Sequence, residues 1–185
     1  MLARDERERL LRLARRCLEA RVRREPPPAV ERGGSLDEPM GVFVTIHTAG
    51  ELRGCLGQIE TDRPLADSVA HLAAVVCDSD PRFTPLCAAE LAVTLIEISA
   101  LTPEEEVRDV LQIEVGRHGL IVEHGRRRGL LLPQVATEHG WDRDAFLVHT
   151  CLKAGLPVDA WRRGARILRF EAQVFGEVRH EAERR

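Results

Sequence analysis

The run LRGCLG, residues 52–57, carries the side chains best suited to chemistry in this chain. It places Arg53 two residues before Cys55 and brackets the thiol with Gly54 and Gly57. Side chains alternate along a strand, so Arg53 and Cys55 are predicted to share a face. A guanidinium there could stabilise a thiolate or bind an anion beside it. Glycines inside a strand indicate a bulge or the close approach of a ligand.

Cys55 also has a structural interpretation, because free cysteines are commonly small buried apolar residues. Residues 40–48 and 52–59 are predicted to form a hairpin that turns at residues 49–50. This register would place Val44 opposite Cys55 and bury both faces of the hairpin. The sequence therefore leaves Cys55 open as either a reactive thiol or a core residue.

A catalytic cysteine needs a base within hydrogen-bond reach, and His118 is the best candidate for that base. It stands next to Gly119 at the start of a predicted strand, although many such histidines are ordinary loop residues. His47 is the weaker candidate, because the predicted register puts it on the face opposite Cys55.

Glu97 lies in the middle of an apolar strand, where an ionised carboxylate needs a partner. It is interpreted either as a general base or as the partner of an arginine, with Arg53 and Arg82 the candidates. Pairing is the favoured interpretation. Arg82 and the nearby Asp80 are predicted to hold a loop in place after a helix.

Helices and strands alternate irregularly along the chain, and short turns between strands indicate antiparallel pairs. The fold class is therefore α+β. Helices are predicted over residues 5–24, 64–77 (capped by Asp62) and 142–154 (capped by Asp142). Further strands are predicted at 92–101, 111–115, 120–124, 129–132 and 166–178.

The composition excludes several classes of protein. Apolar residues make up 44% of the chain and charged residues 31%, which is typical of a globular domain and not of a disordered one. The net charge of −3 and the scarcity of aromatic residues disfavour a nucleic-acid-binding protein. The charged amino terminus does not resemble a secretory signal, so the cytoplasm is the expected compartment.

The five cysteines lack a CxxC pair and are irregularly spaced, so neither a disulfide framework nor a zinc site is expected. No metal site is predicted, and no cofactor is identified.

Longer runs of sequence carry a family resemblance. They are GVFVTIHTAGELRGCLG, DPRFTPLCAAEL, IEISALTP, VGRHGLIVEHGRRRGLLLPQVATEHGWD and TCLKAGLPVDAW. In this order they extend from Gly41 to Trp161 and resemble the AMMECR domain family, whose microbial members are called AmmeMemoRadiSam system protein A. The motif LRGC-hydrophobic-G of the family corresponds to residues 52–57, with Leu56 where isoleucine is commoner.

The resemblance implies a single domain over residues 1–185, with two lobes around a curved, mostly antiparallel sheet flanked by helices. Its motif-bearing core would span about residues 41–178. No activity is established for the family. The name of the microbial group implies an association with a Memo-like protein and a radical S-adenosylmethionine enzyme.

Three functions are compatible with these observations. The first is an accessory or small-molecule-binding component of a system of Memo-like and radical S-adenosylmethionine proteins, with a cleft at Arg53, Gly54, Cys55 and Gly57 and with Arg82 contributing to binding. The second is a cysteine-dependent transferase or hydrolase that uses Cys55 as nucleophile, with His118 or Glu97 as base. The third, a nucleic-acid-binding regulatory factor, is disfavoured by charge.

Overall fold

The computed structural model describes residues 1–59 and 61–178. The chain forms two compact units, one of Met1–Ala100 together with the chain from Gln173 onward, and one of Leu101–Ala172. Both units combine antiparallel strands with helices, which confirms the predicted α+β class. Within the described residues, no helix is long and apolar enough to span a bilayer.

The first unit contains two helices and a sheet built around one central strand. Its elements are α1 (Arg4–Arg23), β1 (Val42–Thr48), β2 (Glu51–Gln58), α2 (Leu65–Val75) and β3 (Thr94–Leu101), whose last residue belongs to the second unit. Strand β1 pairs antiparallel with β2 on one side and with β3 on the other. The central strand thus fixes the side chains of both neighbours in register.

Helix α1 forms where its apolar residues recur every three or four positions, as predicted. Leu10, Leu13 and Leu18 are fully or almost fully buried along this stripe. The helix ends at Arg24, which adopts a left-handed conformation (φ 58°). The prolines that follow cannot extend it.

Alternation along β1 separates a buried face from a more open one. Val42, Val44 and Ile46 are fully buried and belong to the core formed with α1 and α2. Thr45 and His47 point the other way and are only half-buried. The open face of this sheet is therefore where a polar side chain can meet a ligand.

The predicted hairpin forms, with Ala49 (φ 55°) and Gly50 (φ 91°) in its turn. The predicted register is wrong by one residue beyond the turn. Ile46 pairs with Gly54 and His47 with Leu52, so Arg53 is the extra residue of a β-bulge. Cys55 consequently lies opposite Thr45, and not opposite Val44.

The second unit is built around β5 in the same way. Its elements are β4 (Glu105–Glu106), β5 (His118–His124), β6 (Arg127–Leu131), α3 (Pro133–Glu138), α4 (Arg143–Lys153) and β7 (Arg166–Gly176), which continues into the first unit from Gln173. Strand β5 pairs antiparallel with β6 and β7, and β4 pairs with β7. Phe146, from α4, is fully buried in the core of this unit.

Some predicted elements differ from the structure. Residues 111–115 are not a strand, because Asp109 accepts a hydrogen bond from the Leu111 N–H and starts a short 3-10 helix. Helix α3 was not predicted. Helix α2 begins after Pro64 without the predicted side-chain cap, whereas the Asp142 carboxylate accepts a hydrogen bond from the Ala145 N–H as predicted.

We predict that Gly129→Ala destabilises the second unit strongly. A Cβ at Gly129 would lie 2.2 Å from the Ala154 backbone nitrogen, where the backbone at the end of α4 has little freedom to move. We expect a loss of about 2 kcal/mol or more in the free energy of unfolding, measured by denaturant titration. Gly125→Asn is the control. Asn tolerates the left-handed conformation at this turn position (φ 62°), and a Cβ added at Gly125 would have no other atom within 4 Å. Equal stability of the two variants would contradict this account.

Candidate functional site

Cys55, Thr45 and Glu97 form a row across the open face of the first unit. Thr45 lies between them on β1, directly opposite Cys55 on β2 and Glu97 on β3. The Thr45 hydroxyl donates a hydrogen bond to the Cys55 sulfur at 3.2 Å. All three residues are half-buried. The row thus offers a thiol, a hydroxyl and a carboxylate to one side of a paired sheet.

Asp80 holds the Cys55 backbone in place. Its carboxylate is 3% exposed and accepts a hydrogen bond from the Cys55 N–H at 2.9 Å. Arg82 donates to the same carboxylate through its backbone N–H and two guanidinium nitrogens. These bonds, led by the guanidinium, hold the pKa of Asp80 far below its usual range against the opposing effect of burial. Asp80 is therefore ionised and fixed at neutral pH.

Arg53 holds in place the segment that precedes β3, through an ion pair and hydrogen bonds. Its guanidinium pairs with Glu90 at 2.9 Å and donates to the Thr84 carbonyl at 2.6 Å. It also lowers the pKa of Glu90. The Arg53 side chain is 17% exposed, and each of its three guanidinium nitrogens donates a hydrogen bond to Glu90 or to a carbonyl of this segment. The idea that Arg53 stabilises a thiolate or binds an anion therefore has no support in its contacts.

The two glycines of the motif have packing explanations. A Cβ at Gly54 would lie 2.8 Å from the Val76 carbonyl oxygen, so the core side of β2 has no room for one. At Gly57 the ring of Phe43 from the neighbouring strand fills the position, 2.1 Å from where a Cβ would stand. Neither glycine is needed for the approach of a ligand.

Among the described residues, Glu97 has no arginine partner of the kind that the sequence favoured. Arg53 pairs with Glu90 and Arg82 with Asp80. Within residues 1–59 and 61–178, no hydrogen bond or ion pair reaches the Glu97 carboxylate. Glu97 is half-buried on the open face, so water can solvate its charge without such a partner.

The two candidate histidines lie in different units. His47 alternates with Thr45 on β1 and therefore lies on the Cys55 face, contrary to the prediction, because the bulge shifts β2 and not β1. His118 belongs to the second unit and is 4% exposed. Its Nδ1 accepts the Glu114 N–H at 2.9 Å, and burial lowers its pKa. This imidazole is neutral at neutral pH and closes a turn within the second unit.

The other cysteines divide into buried and exposed residues. Cys17, Cys77 and Cys151 are buried, and burial raises the pKa of each thiol, to about 11 for Cys77. Cys55 is half-buried and Cys87 is exposed. No group of three or more His, Cys, Asp or Glu side chains within the described part of the chain is arranged to hold a metal ion.

Comparison with known proteins places this chain in a family. The family model described as AMMECR1 matches residues 11–175. The chain belongs to the AMMECR1 family. A protein from Thermofilum pendens is 46% identical to it, over 96% of this chain and 92% of the relative. Protein MJ0810 from Methanocaldococcus jannaschii is also 46% identical, over 80% of this chain and 78% of its own length.

A solved structure agrees with the fold described above. The crystal structure of uncharacterized protein PH0010 from Pyrococcus horikoshii superimposes with a TM-score of 0.81 at 40% identity. The match covers 91% of this chain and 89% of that one. The antiparallel α+β fold is thus shared by an AMMECR1-like protein of known structure.

Sequence reasoning missed Thr45 and Glu90 in this AMMECR1-family site. Thr45 was missed because the register that pairs it with Cys55 depends on the bulge at Arg53. Glu90 was missed because it lies 37 positions from its partner Arg53, in a loop without a periodic pattern. A capping signal was present, since Glu90 accepts the Cys87 N–H three residues earlier.

We predict that Asp80→Asn lowers stability by about 1–3 kcal/mol at pH 7, because it removes the charge that Arg82 neutralises. The native pKa lies below the unfolded value of about 3.9, so the stabilisation is complete above that pH. It is lost as the pH falls toward the native pKa. Denaturant titrations at pH 7 and pH 3 should show the difference between wild type and variant shrinking at pH 3. A difference that grows on acidification would contradict the assignment.

We predict that Glu97→Gln leaves the free energy of unfolding within about 0.5 kcal/mol of the wild type. The substitution keeps the size of the side chain and breaks no hydrogen bond or ion pair among the described residues. Thermal melting under the conditions used for Asp80→Asn provides the comparison. A loss of more than about 1 kcal/mol would reveal a partner for the carboxylate.

Proposed function

We propose that this protein is an accessory or small-molecule-binding component acting with Memo-like and radical S-adenosylmethionine proteins, and that its ligand contacts the row of Cys55, Thr45 and Glu97. One observation carries the choice of site: the Glu97 carboxylate, which has no partner among residues 1–59 and 61–178, shares an open, paired sheet face with a half-buried thiol. The partner proteins are supported by the family resemblance of the sequence.

The environment of Cys55 favours binding over catalysis. A cysteine nucleophile commonly uses its own backbone N–H to stabilise an oxyanion, but here that N–H donates to Asp80 at 2.9 Å. In the described part of the chain, the sulfur has one hydrogen-bond partner, the Thr45 hydroxyl, which is not a base at neutral pH. A base and an oxyanion donor are both requirements for acyl transfer by a thiol.

A cysteine-dependent transferase or hydrolase is the second candidate. The hydrogen bond from Thr45 to the sulfur and the partial exposure of Cys55 favour it. Glu97 would then be the base, because it lies one strand beyond Thr45 in the same row. His118 would require an arrangement of the two units that supplies its imidazole to the thiol.

We predict that Cys55→Ser folds normally but loses function. A serine fits the same place and keeps the backbone bond to Asp80, while its hydroxyl cannot supply the thiol chemistry or the contacts of a large sulfur atom. Function is measured by complementation of a strain that lacks its own copy and retains the Memo-like and radical-enzyme genes. Cys87→Ser is the matched control, because Cys87 is exposed outside the row. Retained complementation by Cys55→Ser would remove Cys55 from the site.

The same assay separates the parts of the proposal. Wild-type protein that still complements after deletion of the radical-enzyme gene would contradict the partnership while leaving the site intact. Loss of complementation with Cys55→Ser but not with Glu97→Gln would favour a thiol-based reaction over binding across the row. Loss with both variants, at unchanged melting temperature, is the result expected for a shared ligand.

A further inference from the structure

A groove in the second unit has the size of a small-molecule site. It encloses about 430 Å³ between the turn that joins β5 to β6 and the segment that follows α4. Pockets of about 300–1,000 Å³ commonly hold small ligands. The lining residues that the structure describes all belong to this one unit.

The walls of the groove are fixed to one another. The Arg127 guanidinium donates to the Gly155 carbonyl oxygen at 2.7 Å, which joins the hairpin to the end of α4. Gly129 allows the two backbones to approach closely at Ala154, where a Cβ would lie 2.2 Å from the backbone nitrogen. A ligand would therefore meet a preformed surface with little ordering cost.

The groove combines an apolar wall with a cationic rim. The apolar wall consists of Leu156 and Ala160, whose exposed fractions are at most 8%, together with Pro157. The charged and titratable lining residues are His124, Arg126, Arg127 and Arg163. The charged tip of this hairpin thus adjoins an apolar surface, a combination that distinguishes it from a hairpin tip whose charges contact only water.

The positive charge of the rim is only partly neutralised. Arg163 pairs with Asp159 at 2.7 Å, and Arg127 donates to a neutral carbonyl. Arg126 makes no hydrogen bond or ion pair with any other residue of the described ranges. Its guanidinium donors are available to an anion.

We propose that this groove binds a small phosphate monoester whose organic part is apolar. The guanidinium fork of Arg126 matches phosphate oxygens in geometry and charge, and the buried wall suits the apolar part. The described lining residues include no Phe, Tyr or Trp, the side chains that form most stacking platforms, and this disfavours a nucleic-acid base as the ligand. The proposal concerns the second unit alone and does not depend on the function assigned to Cys55.

The test is isothermal titration of the full chain with phenyl phosphate, inorganic phosphate and phenol at low salt. We expect phenyl phosphate to bind about tenfold or more tightly than inorganic phosphate, and phenol to show no measurable binding. Arg126→Gln should weaken phenyl phosphate binding about tenfold, and Arg126→Lys by less, because lysine keeps the charge but loses the fork. Arg108→Gln is the control, since it removes an exposed arginine of the same unit outside the groove.

Several results would overturn the proposal. Equal weakening by Arg108→Gln and Arg126→Gln would reduce the effect to general electrostatic attraction. Equal affinity for inorganic phosphate and phenyl phosphate would show that the apolar wall does not contribute to binding. Lack of phenyl phosphate binding by a folded wild-type chain would eliminate the site, and binding of a single-stranded oligonucleotide alone would assign the groove to nucleic acid.

Discussion

The carboxylate of Asp80 is 3% exposed, and a charge in that position is tolerated only when its oxygens are hydrogen-bonded. Arg82 and the Cys55 N–H meet that requirement. The same bonds attach β2 to the loop after α2 at the residue whose side chain faces the open side of the sheet. A change that displaced Asp80 would therefore move Cys55 relative to Thr45, so the geometry of the row depends on an ion pair outside it.

The elements of the fold were largely predictable, because their signals are local. The apolar stripe of α1, the turn at Ala49 and Gly50 and the cap at Asp142 all depend on residues within a few positions of one another. Helix α3 escaped prediction because six residues are too few for a periodic signal. Residues 111–115 misled because apolar residues at alternate positions resemble a strand, whereas Ile113 is buried and Leu111 is exposed.

The contacts of the candidate site were not predictable from the sequence. The motif drew attention to Cys55, but its pairing with Thr45 depends on the bulge at Arg53. The Arg53 side chain is in turn held by Glu90 and by backbone carbonyls of a loop that is distant in sequence. Such partners are fixed by tertiary structure and leave no spacing signal in the sequence. The same reason explains Glu97: its need for a partner was inferred from apolar neighbours along the strand, while its actual solvation depends on which face of the sheet is open.

The packing of the motif changes the meaning of its residues. Gly54 and Gly57 make room for a carbonyl and for the Phe43 ring, and Arg53 holds a loop, so packing within the protein accounts for most of the motif. What remains on the open face is Cys55 with its neighbours in the row. A site whose support is rigid and whose backbone donor is already occupied is suited to recognition, because a ligand gains from fixed contacts without demanding a rearrangement. Catalysis at the same thiol would require Glu97 to act as base across Thr45 and an oxyanion donor from outside the row, which is why binding is the simpler account of this geometry.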